Sequence, residues 1–243
     1  VIADRVALPL SLHAAFSEKV VSLPHASATG HAAPLMAEGE GTREAQGLPA
    51  DGVVFCCFHA AHGIQPATFG GWMRILQAVP ASVLWLLDDN PVATGHLRAQ
   101  AGARGVDPAR LVFAPRASAE VQRARYALAD LLLDSAPCSG DASLGDALWA
   151  GVPVLTLAGQ AMAGRGGAAL VTAAGLPELV TASQADYEAR AVALAQDAVQ
   201  RQALRERLLA ARKTSPLYNP KALARQLEAA YVAMDERSLQ GLP

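Results

Sequence analysis

The chain has 243 residues, of which 52% are apolar and 17% charged, and its formal net charge is −2. This length and composition allow one large buried core, or one domain together with a fragment of another. The sequence has neither the lysine and arginine cluster that nucleic-acid binding needs nor an apolar stretch long enough to cross a bilayer. We therefore expect no nucleic-acid partner and no membrane partner.

The three cysteines, Cys56, Cys57 and Cys138, form no C-x-x-C pair. Such usage is typical of a reducing compartment, so we expect a cytoplasmic protein in which Cys56 and Cys57 are small buried hydrophobes. The segment that starts at Val1 has neither a basic leader nor an initiator methionine. We therefore expect no signal peptide, and a chain that is part of a longer gene product.

Residues 1–51 differ in composition and in hydrophobic pattern from the rest of the chain. They contain four prolines and a Gly/Ala/Ser/His mixture at 27–31. This composition predicts an extended connector with little structure of its own.

Strands and helices alternate from residue 52 to residue 243. Short apolar runs predict buried strands at residues 53–58, 82–87, 111–114, 131–134 and 153–157. Helical spacing and capping residues such as Ser118 predict helices at 66–79, 95–102, 119–126 and up to about 150, with others from about 165, 186, 199 and 220. The short connections predict an α/β fold, a doubly wound parallel sheet of Rossmann-like type.

Ligands of such sheets bind beyond the carboxyl ends of the strands, where loops 59–65, 115–118 and 135–143 lie. The third loop joins a strand to a helix through small residues, and free N–H groups at the helix start favour a phosphate. Asp146, one turn into that helix, could accept hydrogen bonds from ribose hydroxyls. Alternatively, the loop is an ordinary turn and Asp146 is a solvated helix residue.

Several segments in order resemble one known family. The segments VLWLL at 83–87, ADLLLD at 129–134 and DALWAGVPVLT at 146–156 resemble the C-terminal catalytic lobe of O-GlcNAc transferases and of the related SPINDLY-type plant enzymes. The resemblance begins at IAD (2–4), includes SEKV (17–20) and LP (23–24), and continues through SPLY (215–218) to about residue 234. It therefore covers nearly the whole chain.

The resemblance implies a GT-B glycosyltransferase that transfers N-acetylglucosamine from UDP-GlcNAc to protein Ser/Thr hydroxyls, with inversion and without a metal or other cofactor. Residues 1–51 would then be a remnant of the connector to the N-terminal lobe, and residues 52–243 the nucleotide-sugar-binding lobe with its C-terminal helices. The acceptor protein and much of the catalytic apparatus would belong to the N-terminal lobe and attached TPR repeats.

The resemblance also assigns roles to individual residues. Asp146 would bind the ribose, Arg125 would line the nucleotide site, and the backbone of Ala117 would meet the uracil edge. The backbone at Ala142 and Ser143 would receive the diphosphate.

Five positions depart from the family pattern. Ala60 and Gly63 replace a Gln and a Lys after the first strand of this lobe, and Ala119 replaces a Lys near the ribose. Gln122 replaces the histidine that stacks on uracil, and Asp141 begins a segment that is His-Thr-Thr in the family. The lost lysine normally offsets the negative charge that grows on the leaving diphosphate.

Other residues of the expected site are open to more than one interpretation. Asp141 could repel a diphosphate and cap the helix with its own carboxylate. His59 and His62 could supply a compensating cation, although histidine is a weak substitute for lysine at neutral pH, or they could be polar loop residues. For Arg165 we favour a positioning role over a chemical one.

Three functions remain open on the sequence alone. The first is a glycosyltransferase lobe that is inactive as an isolated chain because a GT-B cleft needs two lobes. The alternative is a degenerate non-catalytic relative that acts as an interaction or scaffolding lobe. A transferase with another donor, such as a fucosyl donor, is the third.

Overall fold

The computed structural model describes residues 1–26, 41–137, 139 and 142–241. In the first of these ranges, strands β1 (Ile2–Asp4) and β2 (Val21–Leu23) pair in parallel. The Asp4 carboxylate accepts the backbone N–H groups of Val6 at 2.8 Å and Ala7 at 3.0 Å, which fixes the turn after β1. The sequence did not predict this pair, because three-residue strands are too short to show a hydrophobic period.

A six-stranded sheet forms the centre of the molecule, and all its strand pairs are parallel. Its strands are β3 (Val53–Cys57), β4 (Ser82–Asp88), β5 (Leu111–Pro115), β6 (Leu131–Leu133), β7 (Val154–Leu157) and β8 (Val180–Thr181). The helices are α1 (Pro66–Ala78), α2 (Pro91–Ala103), α3 (Ala119–Tyr126), α4 (Ala142–Trp149), α5 (Gly166–Ala173), α6 (Gln184–Gln196), α7 (Ala198–Ala211) and α8 (Pro220–Leu239). The predicted α/β fold with a parallel sheet is confirmed. No helix of the described ranges is long and apolar enough for a membrane span.

The spatial order of the strands is β5-β4-β3-β6-β7-β8. The chain therefore enters the sheet at β3, builds outwards to β5, returns to β6 beside β3, and builds outwards in the other direction. In a sheet of this order the connections after β3 and β6 lead to opposite faces, and a crevice is expected between them at the carboxyl edge. This topological switch point is where a ligand is expected in such a sheet.

Buried apolar side chains fill the space between the sheet and its helices. Cys56 and Cys57 are fully buried in β3, as predicted. Trp72 of α1 donates a hydrogen bond from Nε1 to the hydroxyl of Tyr187 on α6 at 3.3 Å. Tyr187 in turn donates to the carbonyl of Asp134 at 3.0 Å, so the helix layer is tied directly to the end of β6.

Most helix and strand bounds differ from the sequence prediction by one or two residues. Helix α3 has the predicted bounds, and Ser118 caps it by accepting the N–H of Val121 at 3.3 Å. Helix α2 begins at Pro91 rather than near residue 95, because Asn90 accepts the N–H groups of the first turn and proline suits the first helical position. The two-residue strand β8 was not predicted, since so short an element has no pattern of its own.

One guanidinium links the starts of two strands to the end of a helix. Arg110 donates from Nη2 to the carbonyls of Leu76 and Val79, both at 2.8 Å, where α1 ends. Its Nε donates to the carbonyl of Ser82 at 2.8 Å, at the beginning of β4. A cation near the C-terminus of a helix is favourable, and a planar fork can satisfy several carbonyls at once.

The Arg110→Ala variant should lower the free energy of unfolding by about 2 kcal/mol, because hydrogen bonds from a charged donor are lost and partly buried carbonyls remain. Urea denaturation measures the change. The control is Arg98→Ala, which removes an arginine whose guanidinium lies 4.9 Å from the Phe113 ring centre, an exposed cation–π contact of about 0.5–1 kcal/mol. Equal losses in the two variants would contradict the linking role of Arg110.

Candidate functional site

The first contact at the switch point joins the loops after β3 and β6. Nδ1 of His59 lies 2.6 Å from Oγ of Ser135, and both residues are buried. His59 is the second residue after β3, and Ser135 is the second residue after β6. The structure therefore places the predicted site residue His59 at the switch point, in contact with the loop after β6.

Next to this contact lies a polar group that we call the Asp134 cluster, in which Ser139 is half-buried and the other members are buried: Asp134, Ser135, Ser139, Thr156 and Gly167. The carboxylate of Asp134 accepts the N–H of Ser135 at 2.9 Å, the hydroxyl of Thr156 at 2.7 Å and the hydroxyl of Ser139. The backbone N–H of Gly167 donates to the Ser139 hydroxyl at 2.9 Å. The cluster thus connects the loop after β6 to β7 and to the start of α5.

Burial raises the pKa of the Asp134 carboxyl. The electrostatic interaction with His59 and the hydrogen bonds from the Ser139 and Thr156 hydroxyls and the Ser135 N–H lower this pKa, and they offset the rise only in part. In the sequence Asp134 is only the last residue of a predicted strand, and this role could not be predicted from it. One signal in the sequence could have indicated it: Asp134 directly follows the three leucines of β6, and a charged residue that is buried beside apolar residues needs hydrogen-bond partners.

Helix α4 begins at the predicted phosphate position. Ala142 is exposed and Ser143 is half-buried in its first turn, and Asp146 is half-buried one turn further on. The first N–H groups of a helix have no partner within the helix, which makes this end of α4 suitable for an anion. Asp141 lies outside the described residues, so its proposed capping role stays a prediction.

The loop at residues 115–118 is supported by α3. Arg125 is buried, and its Nη1 donates to the carbonyl of Pro115 at 2.6 Å and to Oε1 of Gln122 at 3.0 Å. Burial lowers the pKa of Arg125. Ala117 is exposed on the loop that these bonds support. Arg125 is therefore placed under the loop, and Ala117 is placed at its surface.

Two buried donors beside this loop have no hydrogen-bond acceptor within the described part of the chain: Nε2 of Gln122 and Nε of Arg125. Because the guanidinium of Arg125 can only donate, it fixes Oε1 of Gln122 as the acceptor and turns Nε2 the other way. Buried donors are normally satisfied, so an acceptor supplied from outside the chain would be favourable here.

The turn at residues 60–63 contains two of the departures from the family pattern. Asp89 accepts the N–H of Ala61 at 3.2 Å, and the guanidinium of Arg116 lies 3.8 Å from the same carboxylate. A Cβ added at Gly63 would meet no atom within 4 Å, so the missing lysine side chain leaves open space. His62 is exposed on this turn, and Arg116 is an exposed cation near it.

Arg165 holds two chain segments in place. Its Nε donates to the carbonyl of Val6 at 2.8 Å, and its Nη1 donates to the carbonyl of Gly159 at 3.1 Å. These bonds agree with the predicted positioning role, which stays a prediction. Among the described residues, no three His, Cys, Asp or Glu side chains are grouped as metal ligands would be.

Comparisons with known proteins agree on one family. The family model described as glycosyl transferase family 41 matches residues 25–227. The probable UDP-N-acetylglucosamine–peptide N-acetylglucosaminyltransferase SEC of Arabidopsis thaliana is 34% identical over 239 residues, which cover 96% of this chain and 24% of SEC. The chain thus spans about a quarter of the length of this relative.

Solved structures extend the comparison. A mutant of the Thermobaculum terrenum O-GlcNAc transferase superposes with a TM-score of 0.82 at 30% identity, covering 96% of this chain and 44% of that one. WaaG, a glycosyltransferase involved in lipopolysaccharide biosynthesis, superposes with a TM-score of 0.60 at 18% identity over 89% of this chain and 57% of its own. The second match shows a shared fold alone.

The raised pKa of Asp134 has a consequence for stability. Because the folded-state pKa exceeds the unfolded-state value, the stability that this group contributes at low pH is lost as the pH rises from about 4 through the raised pKa. Asp134→Asn cannot ionise and should lack this loss. The free energy of unfolding of the parent minus that of the variant should therefore fall between pH 4 and pH 7.

Urea denaturation across this pH range measures the difference, and Asp235→Asn on α8 is the control, which removes an exposed carboxylate outside the Asp134 cluster. A difference that rises with pH for Asp134→Asn would mean that the fold prefers the ionised carboxylate, against this account.

Proposed function

Because the chain belongs to glycosyl transferase family 41, we propose that it is the nucleotide-binding lobe of a protein O-GlcNAc transferase. The donor would be UDP-GlcNAc, and the acceptors would be Ser and Thr hydroxyls of proteins. The observation that carries the proposal is the position of the start of α4 and of Asp146 after β6, one of the two strands that form the switch point.

Each part of the nucleotide has a matching group at this edge. The backbone amides of Ala142 and Ser143 would meet the diphosphate, where the helix dipole favours an anion without a metal. Asp146 would accept hydrogen bonds from the ribose hydroxyls. The backbone of Ala117 would meet the base, and the buried donor on Gln122 offers a further group for a base carbonyl.

The cation content of the site is lower than the family pattern requires. Gly63 and Ala119 supply no positive charge, and His59 is committed to Ser135 inside the crevice. Stabilising the departing UDP would then depend on helix amides, on Arg116, which is paired with Asp89, and on cations from other parts of the whole protein. We propose for this reason, and because the chain spans under half of the solved relative, that catalysis requires an N-terminal lobe and that this chain alone is inactive.

The remaining parts of the proposal follow from the family resemblance. The whole protein would transfer the sugar with inversion, would carry TPR repeats beside the N-terminal lobe, and would work in the cytoplasm. The alternative is a lobe that keeps the fold but binds no nucleotide. The following experiment distinguishes the two.

Calorimetric titration with UDP at low salt tests the site. The parent chain should bind UDP, and Asp146→Ala should weaken binding by about 10- to 100-fold, the range that one hydrogen bond to a charged group contributes. The matched control is Asp235→Ala, an exposed carboxylate on α8 that should leave binding unchanged. A folded parent chain that binds no UDP, or equal binding by all three proteins, would refute the proposed site.

A further inference from the structure

Two hydroxyl groups donate to the same oxygen of the buried Asp134 carboxylate. Oδ2 accepts the Thr156 hydroxyl at 2.7 Å and the Ser139 hydroxyl. Asp134 is only 3% exposed, so these donors replace water around a group that would otherwise be poorly solvated. The two hydroxyls are chemically equivalent at the carboxylate, but they come from different parts of the fold.

Thr156 belongs to β7, inside the sheet, whereas Ser139 belongs to the loop between β6 and α4. Ser139 also makes a second bond, because its oxygen accepts the N–H of Gly167 at 2.9 Å at the start of α5. A Cβ at Gly167 would collide with the Asp134 carboxylate and the Ser139 hydroxyl, so this close approach needs glycine. Ser139 therefore anchors the loop to two buried elements at once.

The anchor lies close to the first amides of α4. Ser139 precedes Ala142 by three residues, a separation that an extended chain spans in about 10 Å at most. Fixing Ser139 thus restricts where the backbone of Ala142 and Ser143 can lie. Amides that must converge on a phosphate bind best when they are already positioned, because no ordering is then needed at the moment of binding.

We infer that Ser139 is a positioning residue for the diphosphate part of the nucleotide site, acting through its bonds to Asp134 and Gly167. This inference rests on the proposed function. The base end of the site is held by different bonds, since Arg125 donates to Pro115 and Gln122 and not to the residues that hydrogen-bond in the Asp134 cluster. Loss of the Ser139 hydroxyl should therefore weaken the binding of a diphosphate selectively.

The test compares Ser139→Ala with Thr156→Val. Each variant removes one hydroxyl from the same Asp134 oxygen, so each loses one donor to a buried carboxylate, but only the first releases the loop. Calorimetry measures the affinity for UDP and for uridine, and the ratio of the two affinities gives the contribution of the diphosphate. We expect Ser139→Ala to lower the UDP affinity at least tenfold and the uridine affinity less than twofold, and Thr156→Val to leave the ratio of the two unchanged.

Amide hydrogen exchange without ligand provides a second measurement that does not depend on nucleotide binding. Exchange at residues 142–145 should be faster in Ser139→Ala than in Thr156→Val. Faster exchange in a chain whose parent binds no UDP would leave the anchor standing and refute the proposed function. Equal exchange in the two variants, or a loss of affinity by Ser139→Ala that is the same for UDP and uridine, would overturn the inference.

Discussion

The return of the chain to the middle of the sheet is the constraint on which the rest of this structure depends. Strand β3 is the first strand of the six-stranded sheet in the sequence, and β4 and β5 lie on one side of it. Strand β6 comes later in the sequence and pairs with the other side of β3. The loops that leave β3 and β6 must then part at the carboxyl edge. His59 and Ser135 lie at that parting and hydrogen-bond across it. The candidate site therefore lies at the switch point, whose position follows from the order in which the strands are connected.

A buried carboxylate links the elements that meet at this switch point. Asp134 is withdrawn from water, which raises its pKa, and it recovers interactions from Ser135, Ser139 and Thr156. These donors come from the loop after β6 and from β7, while the carbonyl of Asp134 receives the hydroxyl of Tyr187 from α6. A buried carboxylate without its partners would lower the free energy of unfolding, so the elements that supply these partners are held in a single arrangement.

Much of the fold could be predicted because it depends on local pattern. The apolar run at β3 and the capping serine of α3 both gave the right elements, since burial on both faces and an N-cap leave signals within a few residues. The pairing of β1 with β2 could not be predicted, because the partners are 19 residues apart and three residues long.

The candidate site divides in the same way. The loops and the start of α4 were predicted from their place after strands, and the structure puts them at one edge of the sheet. The Asp134 cluster was missed because two of its members, Thr156 and Gly167, are distant in sequence: Thr156 is 22 residues from Asp134. Whether a carboxylate at a strand end meets water or three donors is decided by tertiary packing, which a single sequence does not reveal.

The most direct test of the central claim, that the carboxyl edge of this sheet binds a nucleotide, is a two-dimensional NMR titration of the isotope-labelled chain with UDP. The account predicts that shift changes concentrate in the amides of residues 115–118 and 142–146 and saturate together with one affinity. Changes confined to α8 or to the opposite edge of the sheet, or no changes in a folded chain, would contradict it.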